Sequence, residues 1–262
     1  MTEDSHQVTT PQYRTWVRTR PSVVFGVLAV VFLALCLLAV RTPWALLAVI
    51  PAGAFGWIFF VLMLARYCFS DRGGRYQARI HELITARAEG ARVLDIGCGN
   101  GHLAIQLAKL SPDRMVTGLD YWGSAWEYSK EACDRNARLE GVADRTRFVR
   151  GSAAQLPFGD DEFDCVVSCM TFHEVRDLDD KTKALAEALR VLRPGGRFVV
   201  IDLFSSPAYY PDQARIREQL AVGRAAVETD AALGALLPLP FPLNGKQVLK
   251  YARLILGRKT PD

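Results

Sequence analysis

Three glycines at alternate positions, Gly97, Gly99 and Gly101, follow an acidic residue, Asp95, in the stretch Val93-Leu-Asp-Ile-Gly-Cys-Gly-Asn-Gly-His102. Glycines at this spacing let the backbone turn tightly and let a ligand lie close against it. The dinucleotide fingerprint G-x-G-x-x-G requires its last glycine at position 102, where this chain has His102. A carboxylate just before the first glycine repels a diphosphate but suits a ligand with an ammonium group. A second acid, Asp120, ends the next apolar stretch, roughly the twenty-residue distance at which an acidic residue meets ribose hydroxyls. S-adenosylmethionine carries both an ammonium group and a ribose.

The elements that must hold these residues are legible nearby. Val93-Leu94 with Ile96 reads as a buried strand, and Leu103, Ala104, Leu107 and Ala108 have helical spacing. Strand, glycine turn and helix together open a nucleotide-binding α/β sheet, with the helix N-terminus offering free N–H groups. Val116 to Leu119 is the next strand, and Tyr121 and Trp122 beyond it either wall an adenine or pack in the core. Ser124 and Glu127 form a capping box for a helix reaching Leu139, with Gly141 as its stop. Arg147 to Arg150 and Phe163 to Met170 read as the third and fourth strands, Leu178 to Leu192 as a helix, and Phe198 to Ile201 as the fifth strand. The alanine-rich Gln213 to Leu237 is expected to be helical, and Val248 to Gly257 to supply the last strand. Between them Leu237-Pro-Leu-Pro-Phe-Pro-Leu243 is a stiff apolar loop that covers a substrate, touches a membrane or is simply buried.

The stretch around Asp95 resembles motif I of the class I S-adenosylmethionine-dependent methyltransferases. Further matches follow in order: Gly118-Leu-Asp120, Leu156-Pro-Phe158 before Phe163-Asp-Cys-Val-Val167, and Val191-Leu-Arg-Pro-Gly-Gly196. The resemblance spans about Ile80 to Lys259 and is nearest to the methyltransferase type 11 group, which includes quinone-biosynthesis enzymes. It implies a Rossmann-like α/β fold with a seven-stranded, mostly parallel sheet whose last strand is antiparallel. It also implies S-adenosyl-L-methionine as cofactor, held by Asp95, Gly97, Cys98, Gly99, Gly101, Asp120, Tyr121, Ser152, Ala153 and Ser168. At Gly151-Ser-Ala153 the family usually has Gly-Asp-Ala, with the aspartate on the adenine amino group; Ser152 offers a hydroxyl in its place. The family places the reacting methyl beside the end of the fourth strand, here Ser168-Cys-Met-Thr-Phe-His-Glu174. His173 is thereby the leading candidate for a base or substrate contact and Glu174 the second, the alternative for His173 being a loop-positioning role.

Composition narrows the partners. Half of the 262 residues are hydrophobic and the formal charge is only +4, which argues against a nucleic-acid binder. The Asn-Pro-Pro-Tyr type motif of amino-group methyltransferases is absent, no histidine pair has metal-ligand spacing, and the six cysteines form no C-x-x-C, so no metal is expected. Cys165 and Cys169 share a strand face and are read as packing near the ligand, not as a disulfide.

The N-terminal third has another character. Met1 to Gln12 is polar and expected to be disordered. Ser22 to Val40 and Trp44 to Ala65 carry no charge, and each is about 20 residues or more, enough to cross a bilayer core. No small-x-small cleavage site follows the first run, where Arg41 and Pro43 stand. These runs suggest a polar tail (1–20), a transmembrane helical hairpin (21–67) and a methyltransferase domain (68–262). Ala52 and Gly56 offer a small-x-x-x-small face for close helix approach. Arg14, Arg18 and Arg20 precede the first run, and Arg66, Arg72, Arg75 and Arg79 follow the second, with only Arg41 between. The positive-inside rule then puts both termini and the catalytic domain on the cytoplasmic side of the cytoplasmic membrane. Tyr76, Ile80, Leu83 and Ile84 mark an amphipathic helix on which Arg75 and Arg79 meet solvent, lipid head groups or the cofactor carboxylate. The expected activity is methylation of a hydrophobic or amphipathic small molecule or lipid, at an oxygen or nitrogen. The alternative is a membrane-tethered S-adenosylmethionine sensor without turnover.

Overall fold

The computed structural model describes residues 9–123 and 127–261. They fall into two compact units: the described residues of 1–14, 80–239 and 246–262 form one, and residues 15–79 with 240–245 form the other.

The larger unit is built on a seven-stranded sheet. β1 (Arg92–Ile96), β2 (Met115–Asp120), β3 (Thr146–Arg150), β4 (Phe163–Cys169), β5 (Leu192–Asp202), β6 (Ala225–Ala232) and β7 (Arg253–Lys259) lie in the order β3-β2-β1-β4-β5-β7-β6. β1 pairs in parallel with both β2 and β4, and β7 runs antiparallel to its two neighbours β5 and β6. The central strands are apolar runs with buried faces on both sides, as parallel strands covered by helices must be. Strand order reverses direction between β1 and β4, and ligands of such sheets bind outside the carboxyl ends of the strands at this switch point. Leu94, Ile96, Leu185, Leu189, Phe198 and Phe204 belong to one fully buried cluster on a face of the sheet.

This unit departs from the expected pattern in three places. The helix after β2 spans Lys130–Leu139 and is capped by Ser129, whose hydroxyl accepts from the Ala132 N–H at 3.2 Å. The expected cap residue Ser124 lies outside the described residues, and Glu127 pairs with Arg14 instead. The stretch expected to be one helix over 213–237 divides into a helix at Gln213–Val222, strand β6 and a four-residue helix at Leu233–Leu236. Alanine propensity loses there to the free edge of β7, which gains a ladder partner, and Arg224 at φ +54° makes the break. Finally, Gln12, expected in a disordered tail, is hydrogen-bonded to Asn136.

The smaller unit holds α1 (Thr19–Leu38) and α2 (Ala45–Phe69), both long and apolar enough to cross a membrane by length and composition. Their contact is aromatic. Phe55 of α2 lies 6.1 Å from Phe25 and 5.5 Å from Phe32 of α1, and a Cβ on Gly26 would sit 3.0 Å from Phe59. Gly56 is not the close-approach position anticipated for it, because a Cβ there meets no atom within 4 Å among the described residues. Phe241, from the apolar loop, lies 6.2 Å from Trp57 within the same unit. Arg75 pairs with Asp71, and the Arg79 guanidinium lies over the Tyr76 ring. A third helix, α3 (Tyr76–Thr85), is divided between the units after Arg79, and its buried Ile80 and Ile84 belong to the larger one.

Candidate active site

At the carboxyl end of β1 the chain enters a turn that only glycine makes without strain. Gly97, Gly99 and Gly101 have φ of +81°, +57° and +79°. A Cβ on Gly97 would fall 1.9 Å from the Thr171 hydroxyl, so its bare backbone lets the turn close against the loop after β4. The Gly97 and Cys98 N–H groups donate to the Leu119 carbonyl at the end of β2, at 2.7 and 3.0 Å. α4 (His102–Lys109) starts directly after Gly101.

Two carboxyl groups flank this turn. Asp120 accepts from the Gly99 N–H at 2.9 Å and from the Trp122 N–H at 2.8 Å. Burial raises its pKa, and those N–H groups oppose the rise. Asp95 is buried, and among the described residues neither oxygen has a hydrogen bond of ordinary geometry. Burial, then the nearby Asp120 carboxylate, raises its pKa from 3.8 to about 8, while the Ala104 N–H pulls it down. A buried carboxyl group so weakly compensated is costly, and a ligand cation or donor would satisfy it. The donor set therefore fits the ammonium end of S-adenosylmethionine.

The remaining cofactor candidates sit around the same strand ends. Cys98 is buried, with its sulfur against Gly118. Tyr121 points outward and is 59% exposed. Trp122 closes on the turn, its indole N–H donating to the Gly99 carbonyl at 2.8 Å. Tyr128, which sequence reasoning did not select, lies within 3.4 Å of a Cβ built on Gly99. The Gly151 N–H bonds to the Asp120 carbonyl, which holds Ser152 and buried Ala153 beside β2; the Ser152 hydroxyl accepts from the Ala154 N–H at 3.1 Å. Ser168 is buried and donates to the Ile96 carbonyl at 2.9 Å, pinning β4 to β1.

A second cluster forms at the ends of β4 and β5. Phe172–Glu174 is a single 3-10 turn that places His173 beside Asp202, the last residue of β5. Nδ1 of His173 is 2.9 Å from Asp202 Oδ1. The same carboxyl group accepts from the Phe172 N–H at 2.8 Å, the Leu203 N–H at 2.7 Å and the Tyr210 hydroxyl at 3.1 Å. Burial beside Asp202 pushes the Tyr210 hydroxyl well up, so it stays protonated and donates. A carboxylate only accepts, so Nδ1 carries the proton and Nε2 is left as the basic nitrogen. Glu174 lies 3.8 Å from Nε2, and the Tyr209 ring is 5.0 Å from the imidazole. Asp202 escaped the sequence reading, although an acid closing an apolar strand is the same signal that identified Asp120. The six cysteines are all free thiols, and burial raises the Cys169 thiol well above its ordinary range.

This sheet order, glycine turn and pair of acids define the Rossmann-like fold of the S-adenosylmethionine-dependent methyltransferases. Residues 94–200 match the family model described as a methyltransferase domain. The chain is 38% identical over 58% of its length to 27-O-demethylrifamycin SV methyltransferase of Amycolatopsis mediterranei, covering 53% of that protein. It is 36% identical over 51% to the fatty-acid O-methyltransferase of Mycolicibacterium smegmatis, covering 45% of it. It is 40% identical over 45% to the ubiquinone/menaquinone biosynthesis C-methyltransferase UbiE of Pseudomonas fluorescens, covering 43% of it. The chain thus spans about half the length of these relatives. Among solved structures, geranyl diphosphate methyltransferase in complex with GPP and sinefungin shares the fold at a TM-score of 0.57, 18% identity, and 75% and 82% coverage of the two chains. The [4+2]-cyclase SpnF does so at 0.55, 19% identity, and 70% and 82% coverage.

Proposed function

We propose that the protein is a membrane-anchored S-adenosylmethionine-dependent methyltransferase acting on a hydrophobic or amphipathic small molecule or lipid from the cytoplasmic leaflet. The observation that carries turnover is the Asp202–His173 pair at the ends of β4 and β5. Two apolar helices support the anchor, and relatives named for rifamycin, fatty-acid and quinone substrates support the substrate class.

When bound, the cofactor supplies a methyl group on a sulfonium whose positive charge vanishes as it leaves. In this reading Asp95 holds the ammonium end, Asp120 the ribose hydroxyls and the glycine turn the backbone side. Asp202 fixes the tautomer of His173, whose Nε2 takes the proton from the acceptor as the new bond to carbon forms. Glu174, 3.8 Å away, stabilises the imidazolium that results. A base of this kind suits an acceptor that carries a proton, such as a hydroxyl group. Most of the rate comes from alignment and exclusion of water, effects on the order of several kcal/mol.

The test is label transfer from radiolabelled S-adenosylmethionine to a total membrane extract of the source cells by the full-length protein in detergent. Label in the organic phase that disappears in Asp95→Asn and falls sharply in His173→Gln supports the proposal. Stoichiometric cofactor binding without transfer to either phase overturns it. That outcome would favour a tethered binding protein, since one fold and one ligand loop can serve binding without turnover.

A further inference from the structure

The residues just before the first apolar helix are built into the back of the glycine turn. Asn136, fully buried on the helix after β2, uses both ends of its amide there. Its Oδ1 accepts from the Gln12 N–H at 3.0 Å, and its Nδ2 donates to the Gln12 carbonyl and to the Asn100 carbonyl, each at 3.1 Å. One side chain therefore joins the backbone of the N-terminal segment to the backbone of the turn between Gly99 and Gly101. The Tyr13 ring stacks on His102, the first residue of α4, at 4.2 Å and 23°. Its hydroxyl reaches Glu140 at 3.4 Å, and Arg14 pairs with Glu127. Three successive residues thus touch the turn's scaffold, the start of α4 and both flanks of the next helix.

We propose that Gln12–Arg14 form a strap that positions the glycine turn for its ligand, so that the segment leading into the membrane hairpin also sets cofactor affinity. The proposal rests on reading that turn as the S-adenosylmethionine site. Its physical basis is preorganisation. Three successive odd-numbered glycines make the turn intrinsically mobile, and each residue ordered only on binding weakens the ligand. The strap orders the turn beforehand. Gln12 contributes backbone groups, which any residue except proline supplies, so the sequence there carries no motif.

The experiment uses the full-length protein in lipid nanodiscs with S-adenosylmethionine as the titrant. Gln12→Pro removes the N–H that Asn136 accepts, and Tyr13→Ala removes the stack on His102. Each is expected to raise the dissociation constant about tenfold, with KM for the cofactor rising and kcat changing less than twofold. Tyr13→Phe keeps the ring and is expected to restore wild-type affinity. Amide hydrogen exchange at 97–101 is expected to speed up in the first two variants and not in the third. Unchanged affinity and unchanged exchange in both Gln12→Pro and Tyr13→Ala would overturn the strap. A wild-type protein that binds no cofactor would instead defeat the reading of the turn, and the exchange measurement would still report whether the strap holds it.

Discussion

Asp95 stands one residue before the end of β1 and Asp120 ends the adjacent β2, and burial beside that acid raises the Asp95 carboxyl group to about 8. The folded ligand-free protein therefore holds this proton more tightly than the unfolded chain. The stabilisation is complete below the ordinary carboxyl range and is lost as pH rises through about 8. A cationic ligand reverses the preference, so binding expels the proton. Cofactor affinity is expected to rise about tenfold per unit between about pH 6 and 7, and to level off where the ligand ammonium itself begins to titrate. Calorimetry on the wild type and Asp95→Asn checks this: the slope should vanish in the variant, and a flat wild-type profile would contradict it. Asp202 makes a separate prediction. Asparagine there offers an N–H to Nδ1 of His173 and favours the wrong tautomer, so kcat should fall by about 10²–10⁴ with cofactor affinity unchanged. Equal loss in both would place Asp202 in the cofactor site. Asp95 was legible because the glycines that mark it lie a few residues away in one motif. Asp202 was not, because its meaning comes from a histidine 29 residues earlier that only the sheet brings to it.

The turn and its flanking strands behave as one element, and their glycines are not equivalent. Gly97→Ala combines a left-handed φ with a Cβ 1.9 Å from Thr171 Oγ1, and should destabilise the sheet unit by about 2–5 kcal/mol. Gly141 has φ +69°, but a Cβ there meets nothing within 4 Å among the described residues, so Gly141→Ala should cost about 1–2 kcal/mol. Chemical denaturation of the two variants side by side gives the ranking, and equal midpoints would refute it. The same contrast applies in the hairpin, where Gly26→Val must displace Phe59 while Gly56→Val finds open space. Intramolecular cross-linking between engineered cysteines on α1 and α2 should weaken only for the Gly26 variant. Local pattern had favoured Gly56, since small-residue spacing is visible in one helix and the ring it must receive belongs to the other. β6 was hidden for a related reason. Ala225-Ala-Val-Glu-Thr-Asp-Ala-Ala232 has neither strand propensity nor a fully buried face, and it becomes a strand because β7 offers it a free edge. The first four strands were legible to about one residue, whereas β5 starts six residues before the expected Phe198 and β7 five residues after the expected Val248.

At the scale of the whole molecule, the sequence separates an uncharged hairpin from a charged α/β unit, and the arginines at the two ends of the hairpin carry the orientation. If both ends face the cytoplasm, position 42 in the connecting turn is the exposed outer point, and Lys246 of the apolar-loop region is inside. Seven arginines flank the spans on one side against Arg41 on the other, and each juxtamembrane cation facing anionic lipid contributes about 1 kcal/mol. The native cysteines outside the hairpin are buried, so they give little background to a thiol reagent. A membrane-impermeant maleimide applied to intact cells should label Thr42→Cys, and should label Lys246→Cys only after lysis. Labelling of Lys246→Cys in intact cells would invert the topology and remove the catalytic unit from the compartment where its cofactor is made. Release of the wild-type protein by alkaline carbonate would remove the anchor altogether and return the two apolar helices to the role of a protein–protein surface. Deleting the hairpin is a poorer test of either point, because the cut also removes Gln12 and Tyr13 from Asn136 and His102. A truncated chain starting at residue 70 should therefore bind cofactor about tenfold more weakly than the intact protein even in the absence of any membrane, and supplying residues 9–18 fused to its N-terminus through a flexible linker should recover part of that loss.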